Sequence, residues 1–293
     1  MVEANPASRN TRLGTGELLR YWRDVRRCTQ LNLSLMSGVS QRHISFIESG
    51  RSSPSRHTLL DLAESLDIPL RDRNSLLLSA GFAPMYPEGT WEDEDMMGVT
   101  TALKRMLHYA EPYPAVVMDR YWNVLMTNDA LPRLFNCFTN ASAWGEPHNI
   151  LHAIFDPARL RPHIAGWNDL AISLIQRVYR EAVGRHVDEQ TLALLESLLG
   201  YPGVPAEWKN PRGLESVMTS PVVPLALTKD GRTLRFFSMV TTVGTPQTVA
   251  GQELRLECML PVDAETERLH RALMERELSA GGSQNETIGS GRK

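Results

Sequence analysis

No run of apolar residues in this 293-residue chain approaches the ~20 that a membrane-spanning helix needs. The first ten residues, MVEANPASRN, lack the apolar stretch of a secretory signal. Cysteine is scarce: Cys28, Cys137 and Cys258 are odd in number and far apart, so no spacing supports a disulfide framework or a metal site. A cytoplasmic, reducing compartment is the simplest reading, with no membrane as partner. Enzyme fingerprints are missing too. There is no G-x-S-x-G, no P-loop and no Rossmann glycine pattern, and GTPQTVAGQ lacks the strand-to-helix order of a phosphate loop. His148 and His152 are four apart with His163 nearby, yet no carboxylate or thiolate at matching offsets accompanies them. Glu267 and His270 fall on a charged C-terminal helix and read as solvated. The chain is therefore expected not to be an enzyme and to hold no metal or cofactor.

What is present is ordinary globular composition, 42% hydrophobic and 22% charged, in a length that suits two domains. No internal repeat is visible. The net charge of −3 divides unevenly: residues 1–85 carry +3 and residues 86–293 carry −6. A basic head on an acidic body turns the head toward a polyanion. The excess is small, so any case for nucleic acid must rest on a motif.

Residues 13–83 read as a domain of five short helices with no strand. The first spans about 17–27, with Leu18, Trp22 and Val25 at helical spacing; the fourth spans about 57–66, with Ser55 as its cap. Arg20, Arg23, Arg26 and Arg27 read as a solvated helix face. The informative segment is Thr29–Pro54. A helix from Gln30 to Ser37 stops at Gly38, which can take the positive φ of a tight turn. Val39 plugs the turn, Ser40 caps the next helix, and that helix runs from Gln41 to about Ser49. Ile44 and Ile47 point inward together, which turns Arg42 and Ser45 outward, with Gln41 and Phe46 at the margin. An exposed helix start bearing Gln, Arg and Ser suits the major groove, where each bidentate base contact is worth ~1–3 kcal/mol of discrimination.

Gln30, Leu33, Gly38, Val39, Ser40, Gln41, Ile44, Ile47, Glu48 and Gly50 together resemble the lambda-repressor-like, Xre-type helix-turn-helix proteins over about residues 13–81. The resemblance implies double-stranded DNA as partner and the helix from Gln41 in the major groove. It further implies a phosphate contact from Gln30 and backbone contacts from Arg51 and Ser55. Phe46 departs from a position often basic or polar. It either touches a thymine methyl or packs sideways onto the first helix.

The acidic stretch PMYPEGTWEDED opens a linker over residues 84–96, and 97–278 read as a mixed second domain before a polar, disordered tail, 279–293. Helices are expected at 97–109, 129–137, 166–184 and 188–199; strands at 115–118, 124–127, 222–228, 234–243 and 254–260. Asp230-Gly231 marks a hairpin. The fold class is thus α+β: an all-α five-helix domain, then an antiparallel five-stranded sheet with flanking helices. The stretch EPYPAVVMDRYWNVLMTNDALPRLF resembles the opening of PAS-type sensor domains, with Asn128 at a structural position. With RLRPHIAGW, LTKDGRTLRFFS and GTPQTVAGQELRLECMLPVD it resembles the ligand-binding domain of MmyB-like transcription regulators over about residues 97–265. That resemblance implies a PAS-like fold and a small hydrophobic ligand, a fatty acid or similar amphiphile first.

Ligand cavities are mostly apolar with a few placed polar groups. Trp122, Phe135, Phe138, Trp167, Tyr179 and Phe237 are the candidate lining residues. Phe236 and Phe237 are adjacent in a strand, so only one faces the interior. A carboxylate head would want an arginine, with Arg161 first and Arg120 second. The expectation is a ligand-responsive, homodimeric transcription regulator. The rival is a constitutive DNA-binding protein whose second domain serves dimerisation or a protein partner.

Overall fold

The computed structural model describes residues 14–140, 149–183, 189–209 and 224–286. It divides into two compact units, Met1–Gly89 with Gln247–Gln252, and Thr90–Pro246 with Glu253–Lys293. The switch at Gly89/Thr90 falls inside the stretch expected as a linker.

The first unit holds five helices among its described residues up to Gly89: α1 (Thr15–Val25), α2 (Gln30–Ser37), α3 (Gln41–Glu48), α4 (Arg56–Ser65) and α5 (Leu70–Ser79). Local sequence explains their ends. Thr29, Ser40 and Ser55 each accept a backbone N–H at the start of α2, α3 and α4. Gly38 closes α2 at φ 73°, a left-handed conformation that glycine takes without a Cβ penalty. One apolar cluster ties the helices together, with Leu19, Trp22, Leu33, Ile44, Ile47, Leu59, Leu62 and Leu76 buried. Asn74 on α5 is wholly buried and fully used. Its side-chain oxygen accepts from the backbone N–H of Met85 and Tyr86, and its amide donates to Tyr86 O and the Glu88 carboxylate.

The second unit is a six-stranded sheet with helices. Its elements are α6 (Met97–Tyr109), β1 (Ala115–Met118), β2 (Val124–Thr127), α7 (Ala130–Asn136), α8 (Ile150–Phe155), β3 (Ile164–Ala165), α9 (Trp167–Val183) and α10 (Glu189–Leu199). Then come β4 (Leu225–Lys229), β5 (Arg232–Thr242), β6 (Arg255–Pro261) and α12 (Ala264–Glu286); α11 (Val249–Glu253), between β5 and β6 in sequence, falls in the first unit except for Glu253. The strand order is β2-β1-β6-β5-β4-β3, and every pair is antiparallel. The sixth strand, β3, has only two residues, too few for any alternation to announce it. Part of the strand expected at 222–228 lies outside the described residues. Asp230 and Gly231, both at positive φ, join β4 to β5 as a two-residue hairpin. α12 continues to Glu286, through most of the stretch expected as a polar tail.

One face of this sheet carries the main core. Val116, Met118, Leu227, Leu234, Phe236 and Met259 pack with Trp122, Leu134, Phe135, Phe155, Trp167 and Val178. Asn128 pins the β2–α7 corner: its oxygen accepts from Ala115 N at 3.0 Å and its amide donates to Tyr113 O at 2.8 Å. His270 overturns the expectation of a solvated side chain. It is fully buried, bonded through Nε2 to Pro112 O at 2.7 Å, stacked on Tyr113 and edge-on to Phe236. No helix among the described residues is long and apolar enough to cross a membrane.

Candidate functional site

In the first unit the α2–turn–α3 segment is held from behind by one carboxylate. Glu48, at the end of α3, is 5% exposed. Arg23 grips it with two bonds, Nε at 2.7 Å and Nη2 at 3.2 Å, and the Gln30 amide donates at 2.9 Å. Arg20 adds an ion pair at 3.5 Å and donates to the Glu48 carbonyl at 3.0 Å. Burial pushes the Glu48 carboxyl upward, but the bonds from Arg23 and Gln30 and the charges of Arg23 and Arg20 hold it below the usual carboxylate range. This corrects the solvated-face reading for Arg23, which is half-buried against Glu48, while Arg20, Arg26 and Arg27 are exposed; Arg26 also donates to the carbonyls of Leu66 and Asp67. Gly16 on α1 completes the seat: a Cβ there would lie 2.4 Å from Ile47 O and 2.8 Å from Glu48 O. The backbones of α1 and α3 touch there only because residue 16 has no side chain.

So seated, α3 turns Ile44 and Ile47 inward and leaves Gln41 and Arg42 exposed, with Ser45 and Phe46 half-buried. The Arg42 guanidinium sits 5.3 Å from the centre of the Phe46 ring, one turn along the same helix. Ser40 is occupied as the cap of α3, accepting from His43 N at 3.2 Å. Gln30 is held by Glu48 through its amide nitrogen. Arg51 is exposed beyond α3, and Ser55 is exposed while capping α4.

In the second unit, Trp122, Phe135, Phe138 and Trp167 fall in one core cluster. Tyr179 is 41% exposed, edge-on to Trp208, and Phe237 is half-buried beside Phe236, which takes the core position. Phe155 joins the set through an edge contact with Trp167 and a tilted one with Tyr201. The two arginines named from sequence already have partners. Arg161 lies over the Trp167 ring at 3.7 Å and donates to Pro202 O. Arg120 is buried in an ion pair with Glu253 at 2.9 Å. His152 bonds the Tyr201 hydroxyl at 3.0 Å, and burial holds its imidazole below the ordinary range. His148 lies outside the described residues, and no group of three or more potential metal-binding side chains occurs among the described ones.

Sequence reasoning passed over Arg177 and Arg255. Arg177 lies over the Trp122 ring at 4.3 Å and Arg255 at 6.0 Å from it. Both rise from the core side. Arg255 pairs across the sheet with Met118, and Arg177 falls on the apolar stripe of α9, three residues past Leu174 and seven past Leu170. A cation on an apolar stripe was the available signal.

Residues 19–72 match the helix-turn-helix family, and residues 99–273, more than half of the chain, match the MmyB-like transcription regulator ligand binding domain. No curated protein matches the chain. The two matched families are regulator domains, and together they make the chain a ligand-responsive transcription regulator that binds DNA.

Proposed function

Because the chain belongs to the family of MmyB-like transcription regulators, we propose that it reads a DNA operator through Gln41, Arg42, Ser45 and Phe46. In this reading Gln30, Ser40, Arg51 and Ser55 lie against the phosphate backbone. The observation that carries it is the exposed, polar start of α3 on a helix seated by the bonds of Arg23 and Gln30 to the buried Glu48. A Ser40 hydroxyl that accepts from His43 N still has its own proton to donate to a phosphate. One such helix covers few base pairs, so the chain acts as a homodimer on half-sites ~34 Å apart.

The second unit, PAS-like in this reading, takes a small apolar or amphiphilic ligand, a fatty acid first, among Trp122, Phe135, Phe138 and Trp167. Arg161, Tyr179 and Phe237 lie at the margins of that core. The ligand shifts the chain between states of high and low operator affinity, by no more than its differential affinity for the two. The protein works in the cytoplasm. Gel-shift titration of a selected operator, with and without saturating dodecanoate, tests this: a changed midpoint is expected, and identical midpoints defeat the coupling. A second reading, a constitutive DNA-binding protein whose second unit only dimerises or binds a protein, is favoured by the exposed Met239, Val240 and Val262. Thermal shift separates the two, since only a sensor gains stability from a small molecule.

A further inference from the structure

The two ends of the sheet in the second unit are poor places for another strand to join. β3 is only two residues long, and β2 has four, with the β1–β2 register shifting between Val117 and Met118. Short edges and irregular pairing keep foreign strands away. A third stretch of edge has no such protection. β5 pairs with β6 along Phe236–Thr242, in unbroken register, but β4 accompanies it only from Arg232 to Phe236. From Phe237 onward the side of β5 that faced β4 has no strand beside it among the described residues, and 238–242 are exposed throughout.

Alternation fixes which backbone groups lie on that open side. Arg232 opposite Lys229 closes the two-residue hairpin as a hydrogen-bonded pair, so every second residue from Arg232 turns its N–H and C=O toward β4. Arg235 has the opposite phase: its carbonyl accepts from Val262 N, on the β6 side. Past Phe236 the same rhythm leaves the N–H and C=O of Ser238, Val240 and Thr242 pointing out of the open edge. The side chains suit pairing as well. Met239 is 55% exposed and Val240 42%, Val240, Thr241 and Thr242 are β-branched, and 237–243 contain neither charge nor proline.

An edge with this phase is complementary to itself. Laid antiparallel about a two-fold axis through Val240, two copies set Ser238 opposite the partner's Thr242 and Val240 opposite the partner's Val240. All three become hydrogen-bonded pairs, about six bonds in total, and no like charges meet. The gap also has the right length. β5 ends at Thr242 and the chain bends at Gly244, the residue that would fall opposite Phe236, so the partner strand turns away before it meets Leu225 at the start of β4. We propose that the second unit dimerises through this open edge, the β5 strands of two copies pairing antiparallel around Val240. This rests on the homodimer reading above and names the surface that makes it.

Sedimentation equilibrium of the full chain over a micromolar concentration series tests it, for wild type, Val240→Lys, Thr242→Pro and Val240→Thr. Wild type is expected to dimerise. Val240→Lys puts two cations on the axis, and Thr242→Pro removes an N–H that faces out of its own sheet. Each should raise the dimer dissociation constant at least ~10-fold. Val240→Thr, still β-branched and uncharged, should leave it within ~3-fold. The register has its own readout. On the axis two copies of Val240→Cys lie with Cα atoms ~5.5 Å apart, within reach of a disulfide, whereas two copies of Thr241→Cys do not face each other. Mild oxidation should link Val240→Cys into a covalent dimer and leave Thr241→Cys largely unlinked, the native Cys28, Cys137 and Cys258 being common to both. That measurement stands even where Thr242→Pro folds poorly. A wild-type dimer that survives both Val240→Lys and Thr242→Pro, or equal linking of the two cysteine variants, overturns the edge and leaves the homodimer reading intact. A wild type that stays monomeric overturns the edge and the homodimer reading together.

Discussion

Replacing Arg23 by methionine removes both bonds that grip Glu48 from α1, at 2.7 and 3.2 Å, while keeping much of the side chain's apolar bulk. Glu48 then stays 5% exposed with only the Gln30 amide and the more distant Arg20 for company. Breaking a buried pair from one side costs ~3–5 kcal/mol, because the surviving charge is left unmatched. The retained Gln30 bond and Arg20 charge offset part of that, so a loss of ~2–3 kcal/mol is expected for the first unit. The Glu48 carboxyl should also move up once burial is no longer opposed by Arg23. In wild type a carboxyl held below its unfolded value adds stability that is full above the unfolded pKa, ~4.3, and lost as pH falls through the folded one. In Arg23→Met that contribution shrinks or reverses, so destabilisation should be largest near neutral pH and smaller toward pH 4. The decisive comparison is the double variant Arg23→Met/Glu48→Gln, measured by urea unfolding of the full chain. With the stranded charge neutralised, it should be more stable than Arg23→Met alone by ~1–2 kcal/mol. A double variant no better than the single one would refute the claim that Glu48 is ionised and dependent on Arg23.

Gly16→Ala should cost at least ~1–3 kcal/mol and weaken operator binding, since its Cβ meets backbone oxygens of α3 at 2.4 and 2.8 Å; circular dichroism melts and gel shifts with wild-type values would contradict this. Phe46→Ala should abolish the effect of replacing one operator thymine by deoxyuridine, worth ~0.8 kcal/mol in wild type for a single buried methyl. Fluorescence anisotropy with each thymine replaced in turn checks it, and no thymine that distinguishes the two proteins means Phe46 meets no methyl. His270 is held below its ordinary imidazole value, chiefly by burial. Its folded pKa therefore lies under the unfolded one, and the stability it contributes is present above ~6.5 and lost as pH falls below that. The drop in Tm between pH 7 and pH 5 should accordingly be smaller in His270→Gln than in wild type, and equal drops would count against this.

What was legible in the sequence is what short-range pattern encodes. The spacing predicts a helix over 97–109, and α6 occupies those residues; the cap at Ser40 and the turn at Gly38 stand where residue chemistry puts them. Partners far along the chain were not legible. Arg23 meets Glu48 twenty-five positions away, and His270 meets Pro112 after 158, so both read as solvated when only their own helices were considered. Phe236 and Phe237 show the same limit at closer range. Alternation says that one faces inward, but the cross-strand register that places Phe236 opposite Leu225 decides which. Arg177 was visible as a cation on an apolar stripe, while its place over the Trp122 ring at 4.3 Å is a property of three dimensions alone.

The six residues 247–252 follow β5 in sequence yet belong with the first 89 residues. Pro69 offers α5 no side-chain cap, and the Gln252 side-chain oxygen accepts from Leu70 N at 2.7 Å in its place. Val249 N likewise donates to Pro87 O at 2.9 Å. Modularity at the level of the gene is therefore incomplete. A head excised at residue 89 leaves behind a strip of its own surface, and a graft of a foreign sensor half imports a strip that was shaped for another head. Chimaeras between such regulators should work when the junctions are chosen to keep 247–252 native to the head, even though that requires three crossovers instead of one.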